Sequence, residues 1–166
     1  MAICIDIETT GFGQSDEIVQ FAMFSNGGNK FSELYRPINS ESWEEAEKIH
    51  GISPLKVKGK FPFNHFENIS FIQNMIDNAE LIIGYNHECF DIPFLEKYGL
   101  DFSRAKTYDV MKNFAKYYNE KCNGEKARYK LKFAADHFGY TFTPHDATED
   151  VKVTYYIYEQ LKKAGY

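Results

Sequence analysis

Ile3, Ile5 and Ile7 alternate with Ala2, Cys4, Asp6 and Glu8, the period of two that marks a β-strand. Glu17–Ser25 (EIVQFAMFS) and Lys30–Arg36 (KFSELYR) read as two more strands, joined by Asn26-Gly27-Gly28-Asn29, a strong hairpin signal. Ser42–Ile49 reads as a short helix and His65–Asn78 as a longer one. Leu81–Gly84 (LIIG) is a short apolar strand, Phe90–Tyr98 a helix ended by Gly99, and Ala105–Asp109 a last strand. Helices follow, with Tyr129–Phe138 ended by Gly139, and Ala147–Lys163 after it. A three-strand antiparallel meander followed by strands alternating with helices predicts an α/β fold, a mixed five-stranded sheet with helices on its faces. No repeat, low-complexity segment or linker interrupts this order, so residues 1–166 are expected to form one domain.

Composition narrows the class. The 166 residues are 43% hydrophobic and 17% aromatic, which supports a sizeable core and excludes a disordered chain. The apolar runs are too short for a membrane-spanning helix, so no membrane partner is expected. The N-terminus lacks the basic start and apolar stretch of a signal peptide. Cys4, Cys89 and Cys122 are odd in number and without CxxC spacing, which argues against a disulfide framework or a zinc site. Together these features predict a cytoplasmic protein.

The net charge of −5 does not fit a protein held on nucleic acid by bulk electrostatics, but the distribution is uneven. Through Lys48 there are nine acidic and three basic residues. From Lys112 to Lys132 there are seven basic residues (Lys112, Lys116, Lys121, Lys126, Arg128, Lys130, Lys132) against Glu120 and Glu125, with Tyr117, Tyr118 and Tyr129 interleaved. Such a segment can hold phosphates and stack bases. Taken alone, it reads better as a solvated helix pair with a loop at Asn123-Gly124.

The first strand carries a problem. Residues i and i+2 share a face, so Asp6 and Glu8 point the same way with Cα atoms roughly 6–7 Å apart. Two ionised carboxylates in a cleft repel, and burial raises the cost. Either the strand is an edge with both acids in water, or one acid is neutralised, or a hard cation with oxygen ligands lies between them. Two further acids fall at junctions where they could join. Asp91 starts a helix just after LIIG, and Asp150 lies in the first turns of the helix from Ala147, with His145 five residues earlier. Acids favour helix N-termini for dipole reasons alone, which would serve Asp146 and Glu149 equally well.

Taken in order, D6-I-E8-T-T-G11, N86-H-E-C-F-D91 and H145-D-A-T-E-D150 resemble the three motifs of the DEDDh 3′→5′ exonucleases, a ribonuclease H-like family that includes proofreading subunits of bacterial replicative polymerases. The resemblance covers nearly the whole chain. I49-H50-G51-I52 is similar to the family's HGI segment, T107-Y-D109-V to its second Asp-containing strand end, and Y129–G139 to its LxxLA helix. Many members place an asparagine four residues before the second-motif aspartate. Here Asn86 stands five before Asp91, and His87 occupies the nearer position. Asp146 rather than a tyrosine stands four before Asp150, so the histidine subclass is indicated.

The resemblance implies a ribonuclease H-like sheet on which Asp6, Glu8, Asp91 and Asp150 hold two Mg²⁺ or Mn²⁺ ions at about 3.5–4 Å for in-line phosphodiester hydrolysis. His145 would take the proton of the attacking water, imidazole having an unperturbed pKa of about 6.5. Ile49 and His50 would line the terminal-nucleotide pocket, with Thr9, Thr10 and Asn86 as further substrate-binding positions. His65, His87 and His137 read as surface or core residues, and Phe12 as a packing residue more than a base wedge. The expected activity releases nucleoside 5′-monophosphates from single-stranded DNA 3′ ends. The alternatives are trimming of short RNA or tRNA 3′ ends, or a non-catalytic nucleic-acid-binding module or polymerase-associated subunit. A polymerase or other nucleic-acid-processing partner would have to bind the catalytic domain itself.

Overall fold

The computed structural model describes all 166 residues. Five strands form one sheet: β1 (Ala2–Thr9), β2 (Ile18–Ser25), β3 (Lys30–Leu34), β4 (Leu81–Gly84) and β5 (Thr107–Asp109), in the order β3-β2-β1-β4-β5. β1–β2 and β2–β3 are antiparallel, whereas β1–β4 and β4–β5 are parallel. β1 is therefore the central strand. The reading of Asp6 and Glu8 as acids on a solvated edge is overturned, because both flanks of β1 are paired.

Seven helices cover the sheet: α1 (Glu44–His50), α2 (Pro54–Val57), α3 (Phe66–Asp77), α4 (Asp91–Glu96), α5 (Val110–Cys122), α6 (Leu131–His137) and α7 (Ala147–Lys163). Alternation along β1 feeds two cores. Ile3, Ile5 and Ile7 pack with Ile72 and Ile76 of α3 and Phe94 and Leu95 of α4. Cys4 faces the other way, into a layer of Val110 and Phe114 of α5, Ala134 and Ala135 of α6 and Val151, Val153, Ile157 and Leu161 of α7. Asp6 and Glu8 share the face of Cys4, so they look toward α7, the helix that carries Asp150.

The expected elements are all present, α2 is an addition that the sequence reading did not assign, and the other differences lie at element ends. The strand drawn from Glu17 begins at Ile18, because the buried Glu17 carboxylate accepts the N–H groups of Ile38, Asn39 and Ser40 at 2.7, 2.8 and 3.0 Å. β3 stops at Leu34 rather than Arg36, and β5 begins at Thr107 rather than Ala105. Helix α4 covers only Asp91–Glu96, and the chain turns away at Gly99 with φ +85°. Helix α7 matches its expected bounds. No helix is long and apolar enough to cross a membrane, and all three cysteines are unpaired.

Candidate active site

The site forms where the sheet opens. β4 pairs with β1 only along Ala2–Cys4, so beyond that point the β4 side of β1 has no strand beside it. Asp91, at the start of α4, fills the gap, and its carboxylate accepts the Ile7 N–H at 3.0 Å. A charge-assisted bond of this kind is roughly twice as strong as a neutral one, and it ties the second carboxylate segment to the first. On the other side Asp146 caps α7 by accepting the Thr148 N–H at 2.9 Å, which sets Asp150 one turn into the helix. The Asp150 carboxylate accepts the His145 N–H at 3.1 Å, and His145 itself adopts a left-handed φ of +70°.

The result gathers the four acids. Ligating atoms of Glu8, His145 and Asp150 lie within 4.8 Å of one another. Burial, then repulsion from Asp91, Glu8 and Asp150, pushes the Asp6 carboxyl well above the ordinary carboxylate range. Burial also carries Glu8 to about 8, with repulsion from Asp150 and Asp91 next. Asp91 and Asp150 both rise to about 7, again mainly through burial and against the backbone N–H bonds that oppose it. No lysine or arginine pairs with any of the four. Two unit charges about 6 Å apart repel by roughly 3 kcal/mol at an effective dielectric of 20, whereas one hydrogen bond returns about 1 kcal/mol. The local bonds therefore do not stabilise four ionised acids without added positive charge.

The donor set fits divalent cations. It is made of hard carboxylate oxygens converging from three segments, and the buried Asp150 Oδ1 has no hydrogen-bond partner. His145 is exposed at the rim, free to face solvent or substrate.

The substrate-binding expectations divide. The Ile52 N–H donates to His50 Nδ1 at 3.0 Å, so Nε2 carries the ring proton and donates to the Thr9 carbonyl at 3.2 Å. His50 is thereby fastened to the end of β1, and burial lowers its pKa. Ile49 beside it is 47% exposed. The Thr9 and Thr10 hydroxyls are engaged in the following turn, donating to the Gly11 carbonyl at 2.6 Å and to Asp16 Oδ1 at 2.8 Å. Asn86 has φ +65°, donates its N–H to Asp109 Oδ1 at 3.2 Å and leaves its own Oδ1 buried without a partner.

Phe12 corrects the packing expectation. It is 81% exposed, with its ring 5.7 Å from that of Phe90, the residue before Asp91. Its place in the turn after β1, between Gly11 and Gly13, is the signal that could have marked it as exposed. The sequence reading gave no part to Asp109 with His87. His87 is fully buried, its Nδ1 3.8 Å from Asp109 Oδ2, and Asp109 also caps α5 through the Lys112 N–H. Asp109 holds the loop between β4 and α4 through the Asn86 N–H, and His87 packs beneath the loop without a hydrogen bond of its own side chain.

The sequence profile of the exonuclease family (RNase T type) matches residues 3–158. Among solved structures, the chain is similar to the zinc-bound E. coli exonuclease I–single-stranded DNA complex, with a TM-score of 0.83 at 18% identity over 98% of this chain and 40% of that one. Exonuclease I of Methylocaldum szegediense gives 0.81 at 18% identity, over 98% and 40% of the two chains. Exonuclease X bound to 5′-overhanging duplex DNA gives 0.71 at 21% identity, over 100% of this chain and 94% of that one. The chain thus spans about 40% of the exonuclease I chains that it matches. No curated protein sequence matches it. With the mixed ribonuclease H-like sheet and the profile match over nearly its whole length, the chain belongs to the exonuclease family, the DEDD 3′→5′ exonucleases of the ribonuclease H-like superfamily.

Proposed function

We propose that the chain is a 3′→5′ exonuclease that hydrolyses single-stranded DNA from its 3′ end and releases nucleoside 5′-monophosphates. The observation that carries the proposal is the convergence of four carboxylates with raised pKa values, no basic partner and a histidine at their rim. Asp6, Glu8, Asp91 and Asp150 would hold two Mg²⁺ or Mn²⁺ ions, since an all-oxygen carboxylate set suits hard cations. When bound, the ions supply Lewis-acid stabilisation of the developing phosphate charge and lower the pKa of a bound water.

The chain's own residues do the rest. His145 accepts the proton of the attacking water at its exposed imidazole, within reach of Glu8 and Asp150. The Nε2–H bond to Thr9 fixes the His50 ring against the end of β1, so that Ile49 and His50 form a wall for the terminal nucleotide. Phe12 and Phe90, the residue before Asp91, offer an aromatic surface for base stacking. Solved relatives bound to single-stranded and overhanging DNA favour DNA over RNA.

The test is digestion of matched 5′-labelled DNA and RNA oligonucleotides with Mg²⁺ or Mn²⁺, resolved on a gel. A ladder shortening from the 3′ end, abolished by EDTA and blocked by a 3′-phosphate, is the expected result. Cleavage of a circular single strand would mark an endonuclease instead, and faster digestion of RNA would reassign the substrate.

A further inference from the structure

The basic segment forms the expected pair of helices and solvated loop, but its shape is more than that of a loose connection. It folds into an open cleft of about 1010 Å³ on the face formed by the end of α5, the α5–α6 loop and the start of α6. The loop has a fixed shape. Tyr129 donates its hydroxyl to Asn119 Oδ1 at 2.8 Å and accepts the Lys126 N–H at 3.3 Å, and Asn119 Nδ2 donates to the Lys126 carbonyl at 3.0 Å. A Cβ on Gly124 would lie 2.3 Å from the Tyr129 hydroxyl, so the close approach needs glycine. This frame leaves Lys126, Arg128, Lys130 and Lys132 exposed, with Phe133 42% exposed beside them. Of the four cations only Lys132 has an ion-pair partner, Asp136 at 2.5 Å. The cleft holds four cations against Glu125 and Asp136, a local charge of +2 on a chain whose total is −5.

The elements that form the cleft are tied to the segment that carries Asp91. The Tyr85 hydroxyl donates to the Tyr129 carbonyl at 2.7 Å, and Tyr85 directly precedes the loop that ends in Asp91. Lys112 of α5 pairs with Glu88 of the same loop at 2.5 Å. We infer that the cleft is a second nucleic-acid subsite, a track that binds the phosphodiester backbone upstream of the scissile end and stacks a base on Phe133. This inference rests on the exonuclease reading for its choice of polyanion. Unpaired cations interleaved with an exposed aromatic ring suit single-stranded nucleic acid, whose phosphates and bases both need partners.

Binding and turnover are tested separately. Fluorescence polarisation in EDTA would compare the parent with Arg128→Ala/Lys130→Ala and with Phe133→Ala on labelled oligodeoxynucleotides of about 4 to 16 nucleotides, the span of single-strand sites. The double variant is expected to bind the longer strands about tenfold more weakly. Its log–log salt slope should also be smaller by about 1.4, at roughly 0.7 per lost cation. Phe133→Ala is expected to weaken long strands by a similar factor with the salt slope unchanged. With Mg²⁺, KM should rise for long strands while kcat and the rate on a dinucleotide hold. A Lys162→Ala/Lys163→Ala control removes equal charge from the far end of α7 and should match the parent. Parent-like affinity and salt slope in the Arg128→Ala/Lys130→Ala protein would overturn the track and leave the cleft to an acidic protein partner. A parent that binds long strands through this cleft but cuts none would instead overturn the exonuclease reading alone.

Discussion

At the scale of single residues, the decisive feature is that Asp6 lies on a central strand, where its charge repels three neighbouring acids. Asp6→Asn keeps the shape and removes that charge. It is expected to raise the melting temperature of the metal-free protein while reducing nuclease turnover to background, checked by thermal denaturation in EDTA and a Mg²⁺ digestion assay. His145→Ala is expected to behave differently. Metal binding by calorimetry should be nearly unchanged, because the predicted ligands are carboxylates, while single-turnover rates fall by roughly 10²–10⁴-fold. The residual rate should climb with pH as hydroxide replaces the lost base, so a pH-independent variant rate would remove His145 from the proton transfer. Asp6, Glu8, Asp91, His145 and Asp150 were singled out by the order of three motifs that resemble the family, since local pattern alone served Asp146 and Glu149 equally well. Glu17 was not. It reads as a strand residue, and only the fold brings Ile38, Asn39 and Ser40 to its carboxylate.

Among elements, the loop between β4 and α4 shows where the sequence reading falls short. LIIG and the start of α4 were evident from apolar runs and a junctional acid, yet the support under the loop was hidden. His87 reads as an ordinary polar residue near a turn, and its burial against Asp109 depends on β5 running parallel beside β4. Gly84 makes room for it, since a Cβ there would lie 2.5 Å from both Cβ and Cγ of His87. Gly84→Ala therefore forces the loop to move. The expected cost is about 1–3 kcal/mol of stability, read from the urea midpoint. A drop in kcat should accompany it, because Asp91 would no longer meet the Ile7 N–H; full activity would show that the loop does not position Asp91. The basic cleft was half visible in the same way. Its charges could be counted along the chain, but the bonds of Tyr129 and Asn119 that turn them outward join residues ten apart.

For the whole molecule, the raised carboxyl pKa values set a pH dependence with a definite sign. Glu8 at about 8 and Asp91 and Asp150 at about 7 lie above their unfolded values, so the metal-free fold is favoured by protonation. Their contribution is full below about pH 4 and is lost as pH rises through about 7 to 8. Between about pH 6 and 9 the melting temperature in EDTA is expected to fall, whereas Mg²⁺ should raise it by an increment that grows with pH. Calorimetry in buffers of different ionisation enthalpy should record proton release on binding. An increment that shrinks with rising pH would count against the carboxylates as ligands.

The acids that meet in this cleft are drawn from segments far apart in sequence, β1 and α7. Asp6 and Asp150 are 144 positions apart, and Asp150 lies on a helix that must dock across β1 and β2. A nascent or truncated chain lacking that helix can build most of the sheet yet never complete the carboxylate set. The carboxylate set is therefore a late product of folding, completed only once α7 has docked on the sheet.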